Sequence, residues 1–111
     1  MRLGMQYKSG DILLIKFPFT TLSKSKKRPV LLIKGENEHQ DFVCFQITSK
    51  STQSHLLSIQ QSDISTGHLS LISYVKYDKC FTLNGSLVDK KLASLNHNFM
   101  KQVKQRFCDT L

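Results

Sequence analysis

Apolar residues in this chain come in short runs of strand length, separated by polar turns, and change to a helical period only from Asn96 onward. Several short strands followed by one amphipathic helix predict a small, strongly bent antiparallel sheet or barrel closed by a helix. They disfavour alternating βαβ units. Gly10-Asp11 is a turn signal set directly before Ile12–Phe17, an apolar, β-branched run bounded by Pro18. Thr20–Lys27 is polar, rich in hydroxyl groups and basic, and reads as an exposed loop. Arg28-Pro29 opens a second run, Val30–Ile33; a proline is tolerated at the first position of a strand because its missing donor can face outward. After a polar turn over Gly35–Gln40, a third strand is expected at Phe42–Thr48 and another polar loop at Ser49–Ser54. Shorter strands are expected at Leu56–Ile59, Leu69–Lys76 and Phe81–Leu83. In the helix, Phe99, Met100, Val103 and Phe107 form the apolar stripe, and Asn96 is the expected N-cap. Leu95 would staple to Met100, and Lys101, Lys104 and Arg106 complement the helix dipole.

At 111 residues and 12.7 kDa the chain has room for one domain and none for separate substrate and cofactor domains. A core of that size is thin, and dimerisation would add to it. The charge says more. Sixteen Lys plus Arg against eight Asp plus Glu leave a net +8, which attracts polyanions: nucleic acid, an anionic membrane surface or an acidic protein partner. Cys44, Cys80 and Cys108 are sparse, odd in number and without a CxxC pair, so they read as reduced thiols filling the core of a cytoplasmic protein. No apolar run approaches a membrane span, and Met1–Lys8 lacks the apolar stretch of a signal peptide.

Several chemistries have no motif. GxGxxG and GxxxxGK[ST] are absent, and His39, His55, His68 and His97 stand alone, without HExxH or a carboxylate at ligand spacing. No metal or nucleotide cofactor is expected. Two constellations remain. Lys24–Pro29 is a basic loop running into a strand. Most such runs are solvated faces, but Arg28 sits at the junction, where strand geometry can fix a guanidinium. Arginine suits a phosphate because its planar fork binds two oxygens. The other constellation is Ile47-Thr48-Ser49, hydroxyl residues at the end of an apolar strand. If the second and third strands are neighbours, Arg28 and Thr48 meet at one rim of the sheet. A cation and a hydroxyl donor aimed at one phosphate would stabilise the charge that builds in a transition state.

These residues also carry a resemblance. Gly10–Thr20 (GDILLIKFPFT) resembles the GDIVLVPFPFTD opening of the PemK branch of the PemK/MazF toxin family, and Lys27–Leu31 (KRPVL) resembles its (K/R)RPALV segment. Gln46–Ser49 (QITS) is similar to its PITS motif and Ser73–Asp78 (SYVKYD) to its SYVRxD motif. The four motifs occur in order from Gly10 to Asp78, with the helix beyond them.

The resemblance implies an SH3-like β-barrel of the MazF and CcdB type with a C-terminal helix. It further implies a homodimer, and the toxin half of a type II toxin–antitoxin pair. Such toxins cut single-stranded RNA at short sequences without a metal: the RNA's own 2′-hydroxyl attacks the adjacent phosphate, leaving a 2′,3′-cyclic phosphate and a 5′-hydroxyl. The family's catalytic arginine falls on Arg28, for proton transfer and phosphate stabilisation. Its catalytic threonine falls on Thr48, for hydrogen bonding to the phosphate. Thr20, Lys26, Lys27 and Ser49 would flank the cut site, and Tyr74 and Lys76 would contribute to the RNA groove. Of the two aromatic residues nearby, Phe17 is expected in the core and Phe19 could stack on a base. The antitoxin would present an acidic segment, disordered before it binds. Two departures stand out: Gln46 replaces the usual proline, and Lys76 the usual arginine. Two other readings keep the fold and drop the reaction, namely a nucleic-acid-binding module and a CcdB-like poison of DNA gyrase.

Overall fold

The runs Ile12–Ile15 and Val30–Ile33 carry no polar residue because the strands they form are covered on both faces. The computed structural model describes residues 7–17, 26–35 and 38–111. Seven strands occur among them: β1 (Asp11–Phe17), β2 (Lys26–Lys34), β3 (Asp41–Thr48), β4 (Leu56–Ile59), β5 (Ile64–Gly67), β6 (Ser73–Asn84) and β7 (Val88–Leu95). Helix α1 (His97–Asp109) follows. All pairings are antiparallel, in the order β4-β6-β3-β2-β1-β7-β5. Ile12 and Leu31 face a cluster with Phe45, Ile47, Val75 and Ala93, which the helix residues Phe99, Met100 and Val103 close. Leu13, Ile15, Val30 and Leu32 face the other way, onto Phe42 and Cys44. A central strand that feeds two clusters has no face left for polar residues. The curled sheet with its terminal helix is the bent antiparallel architecture expected from the strand pattern, and the SH3-like, barrel-type fold that the resemblance implies.

Gly10-Asp11 ties three strands together. Gly10 has φ +100°, a region that favours glycine. Its N–H donates to the Leu32 carbonyl at 2.8 Å, and its own carbonyl accepts from the Leu95 N–H at 2.9 Å. Asp11 is 1% exposed. Its carboxylate accepts from Ser94 Oγ at 2.8 Å and from the Lys8 N–H at 2.9 Å, with Lys91 Nζ 3.5 Å away. A buried carboxylate survives when its lone pairs are taken in this way.

The C-terminal helix matches its sequence signals. Asn96 Oδ1 accepts from the Phe99 N–H at 2.8 Å, Leu95 and Met100 share one core cluster, and Phe107 meets the Phe45 ring edge-on at 5.3 Å. No helix among the described residues is long and apolar enough to cross a membrane.

Elsewhere the strands differ from the expectation. β2 starts at Lys26, so Lys26 and Lys27 belong to the strand and not to the basic loop. Leu69–Ile72 lie outside any strand, and the two strands expected at Leu69–Lys76 and Phe81–Leu83 are one continuous β6. Its polar middle, Tyr77–Lys79, is taken up by a bulge between the pairs Gln46↔Lys76 and Phe45↔Cys80. β5 and β7 have no counterpart in the sequence reading. Only Cys44 is a core thiol; Cys80 and Cys108 are exposed, because one lies beside that bulge and the other on the outer side of α1.

Candidate active site

Arg28 stands within β2, paired on one side with Ile15 of β1. On its other side the pairing of β2 with β3 ends at Val30↔Gln46. Arg28 and Thr48, the last residue of β3, each lie two residues beyond that last pair, on the two strands that part there. Thr48 in turn pairs with Tyr74 of β6. Residues directly opposed across strands share a face, so Thr48 and Tyr74 form one row and Val30, Gln46 and Lys76 the row beneath.

Where the β2–β3 pairing ends, a cleft of about 220 Å³ opens between Lys27, Arg28 and Pro29 on one side and Gln46, Thr48, Ser49 and Lys50 on the other, with Leu71 and Ser73 at its end. Three of its lining residues are cationic and none is a carboxylate. Arg28 is exposed and has no hydrogen bond or ion pair among the described residues. Its fork is therefore available to an anion.

Thr48 is half-buried and differently engaged. Its Oγ1 accepts from the Lys50 N–H at 3.1 Å and from Gln53 Nε2 at 3.4 Å. A hydroxyl has two acceptor positions and one donor. Both acceptor positions are filled, which leaves the O–H of this cleft-lining residue to donate. A hydroxyl residue that accepts from the N–H two positions on is a common turn device, and here it makes the first turn of the loop an orienting element.

The other expected site residues divide. Ser49 lines the cleft beside Thr48. Lys27 contributes to the wall, but its ammonium turns away to Asp89 at 3.3 Å, a carboxylate it shares with Lys16 at 3.8 Å. Tyr74 is brought to Thr48 by register and does not line the cleft. Lys76 does not reach the cleft either. It is 7% exposed, and its Nζ lies 2.9 Å from Asp78 Oδ1 and donates to the Ser54 carbonyl at 2.9 Å. That bond, with the charges of Lys76 and His55, holds the Asp78 carboxyl below its ordinary value. Thr20 and Phe19 lie outside the described residues, as do the side chains of Phe17 and Lys26.

Sequence reasoning missed Lys50, Gln53 and Leu71. Lys50 and Gln53 carried a usable signal, a strand-ending threonine followed by a short polar loop. Leu71 carried none, because its place at the cleft depends on non-local folding. A larger concavity, about 540 Å³, runs along α1, but Asn98, Lys101, Gln102, Gln105, Arg106 and Asp109 all come from that one helix, so it is a surface facet and not a crevice between elements. No group of His, Cys, Asp and Glu able to hold a metal occurs among the described residues.

Comparison with known proteins gives one family and one fold. The model of the family described as PemK-like, MazF-like toxin of type II toxin–antitoxin system matches residues 8–111. None of the curated proteins matches by sequence. Among solved structures, a MazE–MazF structure (Form-II) from Deinococcus radiodurans superposes with a TM-score of 0.76 at 16% identity, covering 94% of each chain. MazF (Form-I) from the same organism gives 0.69 at 14% identity, over 95% of this chain and 96% of that one. An endoribonuclease from a mycobacterial species, in complex with its cognate antitoxin, gives 0.70 at 15% identity, over 93% and 90%. At such identities the likeness is one of fold.

Proposed function

The chain belongs to the family of PemK-like, MazF-like toxins of type II toxin–antitoxin systems, and we propose that it acts there as an endoribonuclease on single-stranded RNA. The observation that carries this reading is one cleft, with no carboxylate among its lining residues, shared by Arg28, which has no hydrogen bond or ion pair among the described residues, and Thr48, whose hydroxyl has both acceptor positions filled. Such a site offers donors and positive charge and repels nothing anionic. A phosphodiester is the group that fits it.

In the proposed reaction the 2′-oxygen of the RNA attacks the adjacent phosphorus and gives up its proton. The bond from phosphorus to the 5′-oxygen breaks, and that oxygen takes a proton. The products are a 2′,3′-cyclic phosphate and a 5′-hydroxyl, with no metal in the step. Arg28 binds the non-bridging oxygens as negative charge grows on them, and the Thr48 O–H donates to the same phosphate. Lys50 and Ser49 would hold the neighbouring backbone and choose among short sequences. The net +8 draws in the RNA and equally an acidic antitoxin segment, which would inhibit by occupying the cleft. A homodimer would enlarge the thin core and bring two such clefts together.

The test is incubation of the purified protein with single-stranded RNA in EDTA, followed by analysis of the fragment ends. Cyclic phosphates and 5′-hydroxyls at a short recurring sequence support the reading. Intact RNA, or RNA bound in a salt-dependent way and not cut, removes it.

A further inference from the structure

Lys76 is the one lysine among the described residues whose side chain is almost wholly buried, and burying an ammonium is costly unless it is paired and hydrogen-bonded. Here it is both. Nζ meets Asp78 Oδ1 at 2.9 Å and donates to the Ser54 carbonyl at 2.9 Å. Ser54 belongs to the segment between β3 and β4, which crosses from one side of β6 to the other, since both strands pair with β6 at Lys76. The segment begins at Thr48 and ends at His55. At its near end the Lys50 N–H and Gln53 Nε2 bind Thr48 Oγ1. At its far end His55 adopts φ +59°, a conformation non-glycine residues rarely take. Its Nδ1 lies 3.4 Å from Asp78 Oδ2, its ring meets Tyr77 edge-on at 5.8 Å, and its carbonyl accepts from the Tyr77 N–H.

We propose that Lys76 is a positioning residue. Its ammonium, bridging the Asp78 carboxylate and the Ser54 carbonyl, clamps the far end of the segment whose near end orients the Thr48 hydroxyl. The inference rests on the endoribonuclease reading for its effect on rate, though not for the clamp itself. Lys76 therefore serves cleavage through Gln53 and the backbone of residues 49–55, without touching RNA. An unclamped segment would let Gln53 leave Thr48 Oγ1, and the hydroxyl would then rotate away from the phosphate.

Three measurements on Lys76→Met decide it: steady-state cleavage, the salt dependence of binding to single-stranded DNA (which lacks the attacking 2′-hydroxyl), and amide hydrogen exchange over residues 49–55 without ligand. The clamp predicts a fall in kcat of up to about a hundredfold, with KM within about twofold. It also predicts an unchanged salt slope and faster exchange confined to 49–55. Lys76→Arg, which can reach both partners, should restore most of the rate. A lysine that contacts phosphate would instead lower the salt slope by about one and leave the exchange of 49–55 alone; that result overturns the clamp, as does an unchanged kcat. If Lys76→Met does not fold, Asp78→Asn tests the same bridge, and must loosen 49–55 if the clamp exists. Should the wild-type protein cut no RNA, the activity reading fails, yet the exchange comparison still decides whether Lys76 holds the segment.

Discussion

Thr48 of β3 lies directly across from Tyr74 of β6, and the same register sets Gln46 against Lys76 one row deeper. Two backbone pairings therefore fix where the hydroxyl stands, and the loop that follows fixes where it points. The proposed chemistry depends on both. Thr48→Ser keeps the oxygen, its two acceptor positions and its proton, and should retain cleavage within about tenfold. Thr48→Val keeps the shape and loses the donor, and should cost about 10²–10³ in kcat. Cleavage rates of the two variants, with melting temperatures to show that both fold, check the prediction.

Gly10 is a second fixed point. A Cβ there would sit 3.2 Å from the Leu95 carbonyl oxygen, on a backbone at φ +100°. Gly10→Ala should therefore destabilise the protein by about 1–3 kcal/mol. Asp11→Ala, which leaves Ser94 Oγ and the Lys8 N–H without their acceptor, should cost a similar amount, about 1–3 kcal/mol. Urea unfolding of the two variants measures both.

Burial pushes the Cys44 thiol up to about 12, with Cys80 adding to the rise. The thiolate is the reactive form, so Cys44 should resist iodoacetamide near neutral pH until the protein unfolds. The exposed Cys108 should be alkylated in the native state. Mass spectrometry of native and urea-treated samples distinguishes the two sites. Alkylation of native Cys44 at the rate of Cys108 would contradict the packing described.

The Asp78 carboxyl titrates below its ordinary 3.8, chiefly because Lys76 donates to it. A depressed folded-state value gives stability that is present above the unfolded value and lost as pH falls through the folded one. The wild type should thus shed stability below about pH 4, and Asp78→Asn should shed less over the same interval. Urea midpoints of the two proteins, compared across that range, test the difference.

How much of this was legible depended on how local each signal was. β1, β2 and β3 were plain because Ile12–Ile15, Val30–Ile33 and Phe42–Phe45 feed a core on both faces and so form uninterrupted apolar runs. The helix announced itself through Asn96 and its apolar stripe. β7 was hidden because two register shifts against β1 break its alternation and place Lys90 and Lys91 in mid-strand. The short β5 ends at Gly67, where a side chain would strike the Leu92 carbonyl and Ala93, and a glycine there reads as a turn. At the candidate site, the proposal of Arg28 and Thr48 came from motifs. The contacts of Lys76 could not be read in that way, since its partners Ser54 and Asp78 become neighbours only when β4 folds back beside β6.

The central claim, that Arg28 and Thr48 act on one phosphate, is tested most directly by the single-turnover cleavage rate of Arg28→Ala at saturating protein, with strand binding measured separately on single-stranded DNA. The account predicts a rate lower by about 10²–10³ with binding weakened only modestly and the fold intact. Cleavage within a few-fold of wild type would contradict it.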